Sequence, residues 1–263
     1  MLGSMIGRLY RSMVNKVFGI DILVREGVAR EIGAQSSAAI NADIVTLLQA
    51  GQASPITLDV DRVARVLGSV SSAQYLIQHM LLAENVIHRG ALLQLALDRC
   101  TVEGMTLEFG VYAGRSLRVI ASRTQGPVYG FDSFSGLPED WTRTQRKGRF
   151  DLEGRIPVFT ETNVGLVKGW FNETLPQFLE DHPGPVRFLH IDCDLYSSAA
   201  TVFNQLGTRI VSGTVIVFDE YFNYPGWEQH EFRAFQEFIG STGLKYSYIG
   251  FASGDQSVAV KIT

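Results

Sequence analysis

The chain has 263 residues, 46% of them hydrophobic and 19% charged, with a formal net charge of −4. That balance fits one large α/β domain with a helical extension; it excludes a mostly disordered chain, and the acidic excess argues against a nucleic-acid binder. No apolar run reaches the roughly 20 residues of a membrane helix, and two cysteines, Cys100 and Cys193, are too few for a disulfide framework, so a reducing cytoplasm is expected.

Charged residues from Arg8 to Arg25 interrupt the apolar positions of the first stretch, so no signal-peptide core stands out. Gln52–Pro55 reads as a turn. Asp59 is expected to cap a short helix through Leu67, and Ser71 or Ser72 a longer one. The longer helix would carry Tyr75, Leu76, His79, Leu82, Val86, Ala91, Leu95 and Leu97 at helical spacing, with Gly90 weakening it as a single piece. Residues 1–100 are therefore read as a helical cap and homo-oligomer surface or, with equal weight, as a substrate lid.

From Met105 the pattern changes, and residues 101–263 are read as one α/β domain. Short apolar strands are expected at Met105–Phe109, Pro127–Phe131, Val164–Val167, Val186–Ile191 and Thr214–Phe218. Helices are expected at Gly114–Arg123, Thr174–Asp181, Leu195–Ile210 and Trp227–Ser241. Two final strand-like runs, Leu244–Phe251 and Ser257–Ile262, form a hairpin around Ser253-Gly254-Asp255. A parallel sheet that ends in a hairpin departs from the continued β-α units of a dinucleotide dehydrogenase.

Chemistry-bearing residues sit at strand ends. The first strand runs into Glu108, Gly110 and Gly114, an E-x-G-x-x-x-G turn that lets backbone pass close to a ligand. Glu108 stands where a dinucleotide fold has its first glycine. Its charge would repel a pyrophosphate and suits the cationic amino acid end of S-adenosylmethionine. Asp132, ending the second strand, is placed for the two hydroxyls of a ribose. Two acidic pairs follow the next core strands: Asp192 and Asp194, then Asp219 and Glu220. Carboxyl ends of adjacent parallel strands face one crevice, and like charges held there call for a cation, with oxygen donors suiting Mg²⁺ or Mn²⁺. All four acids precede helices and could also cap them. His230 reads as a base or substrate contact, whereas His190 and Cys193 read as core residues.

As an ordered set, these motifs resemble class I methyltransferases of the macrocin/mycinamicin sugar O-methyltransferase type. The matching pieces are the Glu108–Gly114 turn, Gly130–Glu139, Gly169–Pro176, Ile191–Tyr196 and Phe218–Tyr221. The resemblance implies a Rossmann-like, seven-stranded, mostly parallel sheet with an antiparallel last strand, S-adenosylmethionine as donor, and Mg²⁺-dependent (or Mn²⁺-dependent) O-methylation. It implies Asp192, Asp219 and Glu220 as metal ligands, and Asp194 as a supporting carboxylate or base beside Asp192 and His230. The donor would meet Glu108 and Gly110 at its amino acid end, with Tyr112, Gly114 and Ser116 also among the residues that bind it. Asp132, Ser133 and Asp192 would lie along it, and Lys168, Gly169 and Trp170 near its adenine. The expected acceptor is a hydroxyl of a small-molecule natural product or its sugar. Alternatives are metal-independent N- or carboxyl-methylation and a non-catalytic cofactor-binding subunit. Two departures stand out: Asp219-Glu220 replaces the usual Asp-Asp, and Trp141–Pro157 is rich in Arg and Lys, as a solvated loop or a lid for an anionic acceptor.

Overall fold

A computed structural model describes residues 59–263. The expectations for residues 1–58, including the Gln52–Pro55 turn, lie outside the described residues. The chain forms two compact units, one running to Leu81 and including Asn223–Pro225, the other comprising Leu82–Phe222 and Gly226–Thr263.

In the first unit, helix α1 (Val60–His79) starts where the sequence places it. The Asp59 carboxylate accepts the amides of Asp61 and Arg62 at 2.9 and 3.3 Å. The helix then runs past Leu67 without a break. Ser71 and Ser72 donate their hydroxyls back to the Gly68 carbonyl, at 3.1 and 2.7 Å, instead of capping a new helix. The Ser72 hydroxyl also accepts the Asn223 amide at 2.7 Å. A Cβ on Gly68 would lie 2.7 Å from the Tyr224 carbonyl, so only glycine allows that approach.

The longer helix expected from Ser71 through Leu97 is not one helix. The second unit instead opens with a three-residue strand, β1 (Glu84–Val86), and then helix α2 (Arg89–Asp98). His88 caps α2 by accepting the Ala91 amide at 3.1 Å, which explains why Gly90 falls inside a helical pattern: it sits in the first turn. Leu92, Leu93, Ala96 and Leu97 of α2 are buried in the core of this unit.

The remaining elements alternate as the sequence pattern requires. They are β2 (Met105–Phe109), α3 (Arg115–Ser122), β3 (Val128–Asp132), β4 (Val164–Lys168), α4 (Phe171–Asp181), β5 (Val186–Ile191), α5 (Tyr196–Leu206) and β6 (Val215–Phe218). Helix α6 (Glu231–Thr242) then leads into β7 (Tyr246–Ala252) and β8 (Val258–Ile262). The strands line up as β1-β7-β8-β6-β5-β2-β3-β4. Only β8 runs antiparallel to its neighbours; every other pairing is parallel. The sheet has eight strands where the resemblance implies seven, and the added one is β1 at the edge beside β7. Three residues are too few to show a period of two, so β1 left no sequence signal. The central strands carry unbroken apolar runs, such as Val215–Phe218, because helices cover both faces of a parallel sheet.

Strand order reverses between β2 and β5, so the loops beyond their carboxyl ends diverge and open a crevice. Backbone bonds carry the ladder one residue past the strands at this edge. Gly110 donates to Phe131, Asp192 to Phe109, Asp219 to Ile191 (2.9 Å each) and Gly169 to Asp132 (3.0 Å). These bonds set Gly110, Asp192 and Asp219 side by side. Gly110 has φ +94°, and a Cβ there would lie 1.6 Å from the Asp192 carbonyl oxygen, so the crevice floor admits no side chain at that position.

Candidate active site

The crevice is a cavity of about 920 Å³. That is near the upper end of small-molecule sites, large enough for a nucleoside-bearing donor together with a small acceptor. Its lining joins the two groups of residues that the sequence separates: Gly110, Tyr112, Ser116, Asp132, Ser133 and Trp170 on the donor side, and Asp192, Asp194, Asp219 and Glu220 on the acidic side. Arg89 and His190 line it as well.

On the donor side, Asp132 holds the loop after β2. One carboxylate oxygen accepts the amides of Val111 and Tyr112 at 2.9 and 2.7 Å, and the other accepts the Phe134 amide at 2.7 Å. A carboxylate accepts about four hydrogen bonds, so one position remains open. The grip explains how Tyr112 keeps a left-handed φ of 45°, unusual for a bulky side chain. Glu108 does not line the cavity. It is fully buried, with the Ser116 hydroxyl donating to one oxygen at 2.7 Å and the His190 ring 3.8 Å from the other. Position 108 lies within a strand buried on both faces, so its side chain is turned into the protein and away from the cavity lining.

Gly114, Lys168 and Gly169 also fall outside the lining. Gly114 is the left-handed entry to α3, where a Cβ would meet the Phe159 ring at 2.4 Å. Lys168 donates its amine to the Gly154 carbonyl at 3.1 Å, and Gly169 is taken up by the ladder bond to Asp132.

On the acidic side, Asp194, Asp219 and Glu231 are buried, and Asp192 and Glu220 stand half-buried beside them on the cavity wall. Burial, then repulsion among the group, pushes the Asp192 and Glu220 carboxyls well above the usual carboxylate range. Burial also raises Glu231 well above it and brings Asp194 up to about 7. Arg89 answers part of this charge: its guanidinium donates to Asp219 at 2.5 Å, and the Asp219 charge raises its pKa. The Ser257 hydroxyl donates to the other Asp219 oxygen at 3.1 Å.

Ligand atoms of His190, Asp192 and Asp219 lie within 4.8 Å of one another. Trans ligands of an octahedral ion bound at about 2.1 Å stand about 4.2 Å apart, so this group fits a divalent cation with a small adjustment. The His190 Nδ1 and the facing Glu108 oxygen are buried without a hydrogen-bond partner among the described residues. Carboxylates suit Mg²⁺ or Mn²⁺, whereas an imidazole donor favours divalent ions softer than Mg²⁺. His190, read from the sequence as a core residue, therefore joins Asp192 and Asp219 as a possible ligand, with Glu220 on the same cavity wall.

His230 is not brought to the cavity. It forms the joint between a 3₁₀ turn and α6, with its ring edge-on to Trp141 at 6.1 Å and its pKa lowered by burial. The helix expected from Trp227 begins only at Glu231, which moves His230 off the helical face that the sequence pattern assigned to it. Two residues of the site carried no sequence signal. Arg89 is one helix-starting arginine among many surface arginines. Glu231 is a buried acid whose partners lie 11 to 38 positions away. The basic Trp141–Pro157 segment uses much of its charge internally: Arg146 pairs with Asp140 at 2.6 Å and Arg155 with Glu153 at 3.1 Å.

Among the described residues, no helix is long and apolar enough to cross a membrane. Residues 107–221 match the profile of a family described as a methyltransferase domain. No curated protein matches the chain. Among solved structures, the calicheamicin methyltransferase CalS11 is 22% identical, with a TM-score of 0.51 over 86% of this chain and 92% of its own. The O-methyltransferase NovP is 20% identical, with a TM-score of 0.54 over 66% of this chain and 79% of its own. At these identities, the two structures bear on the fold alone.

Proposed function

We propose that this chain, whose residues 107–221 match a methyltransferase domain, is a class I S-adenosylmethionine-dependent enzyme that methylates a hydroxyl group with the help of a divalent cation. The acceptor is a small-molecule natural product or its sugar. One observation carries the reading: acids from two neighbouring strand ends, Asp192 with Asp194 and Asp219 with Glu220, share a cavity with the Gly110–Ser116 turn and Asp132. The match to a methyltransferase domain and the likeness to CalS11 and NovP support it.

In this reading the Gly110–Ser116 turn receives the amino acid end of the donor, and the open position on Asp132 takes a ribose hydroxyl. Trp170 borders the adenine. Asp192 and Asp219, with His190 or Glu220, would hold Mg²⁺ or Mn²⁺, and a cation there would supply Lewis acidity that lowers the pKa of an acceptor hydroxyl. Asp194, on the cavity wall beside Asp192, accepts the hydroxyl proton as base. The acceptor O–H bond breaks, a C–O bond forms to the methyl carbon, and the electron pair of the S–CH₃ bond returns to sulfur. Holding the two reactants in line accounts for much of the rate gain.

The test is release of S-adenosylhomocysteine from a panel of hydroxylated natural products and their glycosides, with Mg²⁺ or with excess chelator. Turnover should need the cation and vanish in Asp219→Ala. Full turnover in chelator would eliminate the metal and favour metal-independent N- or carboxyl-methylation. Donor binding without transfer to any acceptor would favour a non-catalytic role.

A further inference from the structure

We propose that Glu231 is a positioning residue: its carboxylate ties the loop after β5 to the loop after β6, and by doing so sets the affinity of the acidic site for a divalent cation. The second half rests on the metal reading above; the first half does not.

Strand pairing brings Asp192 and Asp219 together but stops there. The β5–β6 register ends at Ile191 opposite Phe218, and the Asp219 amide makes the last ladder bond to Ile191. Beyond it nothing in the ladder fixes Asp194 against Glu220. Glu231, the first residue of α6, lies across this gap and is fully buried. One of its oxygens accepts the amides of Cys193 and Asp194 at 3.1 and 3.2 Å, and the other accepts the Glu220 amide at 3.4 Å.

Three features mark this as more than a filled hydrogen-bond site. First, only a carboxylate offers acceptors at both ends and no donor, which three inward-pointing N–H groups on two loops require. Second, the loop that it grips is strained. Asp194 sits at φ +62°, and Leu195 closes a tight turn by donating to the Cys193 carbonyl at 2.6 Å. Such a conformation persists only where neighbours over-determine it. Third, the Glu231 oxygens are committed to backbone amides, so the residue acts through the ligands and not as one of them.

The conservative variant Glu231→Gln dissects the tie. A glutamine amide can turn its oxygen to Cys193 and Asp194, but its NH₂ then faces the Glu220 N–H, donor against donor. The β6 loop is released while the β5 loop stays held. Hydrogen exchange followed by mass spectrometry should show peptides covering 219–221 exchanging at least tenfold faster in E231Q, with those covering 193–194 changed less. Mn²⁺ titration in the presence of S-adenosylhomocysteine should give a Kd raised about tenfold in E231Q and S-adenosylhomocysteine affinity within twofold of wild type.

Unchanged exchange at 219–221 overturns the tie. Faster exchange with unchanged Mn²⁺ affinity overturns the link from the tie to the metal. If wild-type protein binds neither Mn²⁺ nor Mg²⁺, the metal reading and the second half of the proposal fall together, and the exchange result alone decides the first half. Should E231Q not fold, exchange in the wild-type protein still decides: rapid exchange at 193–194 and 220, matching exposed loops, would refute the tie.

Discussion

Single atoms decide several properties at this crevice. The Cβ that alanine would add at Gly110 has nowhere to go, with the Asp192 carbonyl 1.6 Å away and a backbone at φ +94°. Gly110→Ala should cost more than about 3 kcal/mol in denaturant unfolding, or leave no soluble protein. Ser116 is the hydrogen-bond donor to the buried Glu108 carboxylate. Removing it in Ser116→Ala should cost roughly 1.5–3 kcal/mol, the range for a bond to a buried charged group, measured the same way. Cys100 offers a pH test away from the site. Burial pushes its thiol up to about 11, while the unfolded chain titrates near the ordinary thiol value. The contribution of this group to stability is therefore full below that ordinary value and is lost as pH rises through about 11. Alkylation of Cys100 by iodoacetamide in native protein should be slow at pH 8 and climb steeply toward pH 11; a thiol reacting at pH 8 as fast as in unfolded protein contradicts this.

At the scale of elements, the site is a product of where strands stop. The sequence marks β2, β3, β5 and β6 through apolar runs that end in Gly110, Asp132, Asp192 and Asp219, and the ladder bonds deliver those ends to one edge. The acids there repel one another, and Arg89 offsets only part of that repulsion. Divalent cation should therefore raise the Tm of the wild-type protein, with the rise reversed by chelator and absent in Asp219→Asn; equal shifts in both proteins would contradict the assigned ligands. Helix boundaries were less legible. Ser71 and Ser72 have the chemistry of caps, yet in α1 their hydroxyls bond back to the Gly68 carbonyl within a helix that continues past them. The break after His79 and the strand β1 depend on pairing with β7, more than 160 positions away, which no local pattern encodes.

For the whole molecule, the donor should stabilise the native state by mass action: S-adenosylhomocysteine at a hundred times its Kd adds about 2.7 kcal/mol, seen as a rise in Tm that NAD does not reproduce. A rise with NAD equal to that with S-adenosylhomocysteine would return the chain to the dinucleotide-binding folds. The sequence by itself determined the class of sheet, the strand ends that carry chemistry and the residue types at the crevice, because hydrophobic period and glycine turns are local and read along the chain. Only the tertiary structure decided that Glu108 turns inward, that His190 stands beside Asp192 and Asp219 while His230 does not, and that Arg89 and Glu231 adjoin the same acids. Those choices depend on contacts between residues far apart in sequence, and the direction a side chain takes from a strand end is set by what packs behind it.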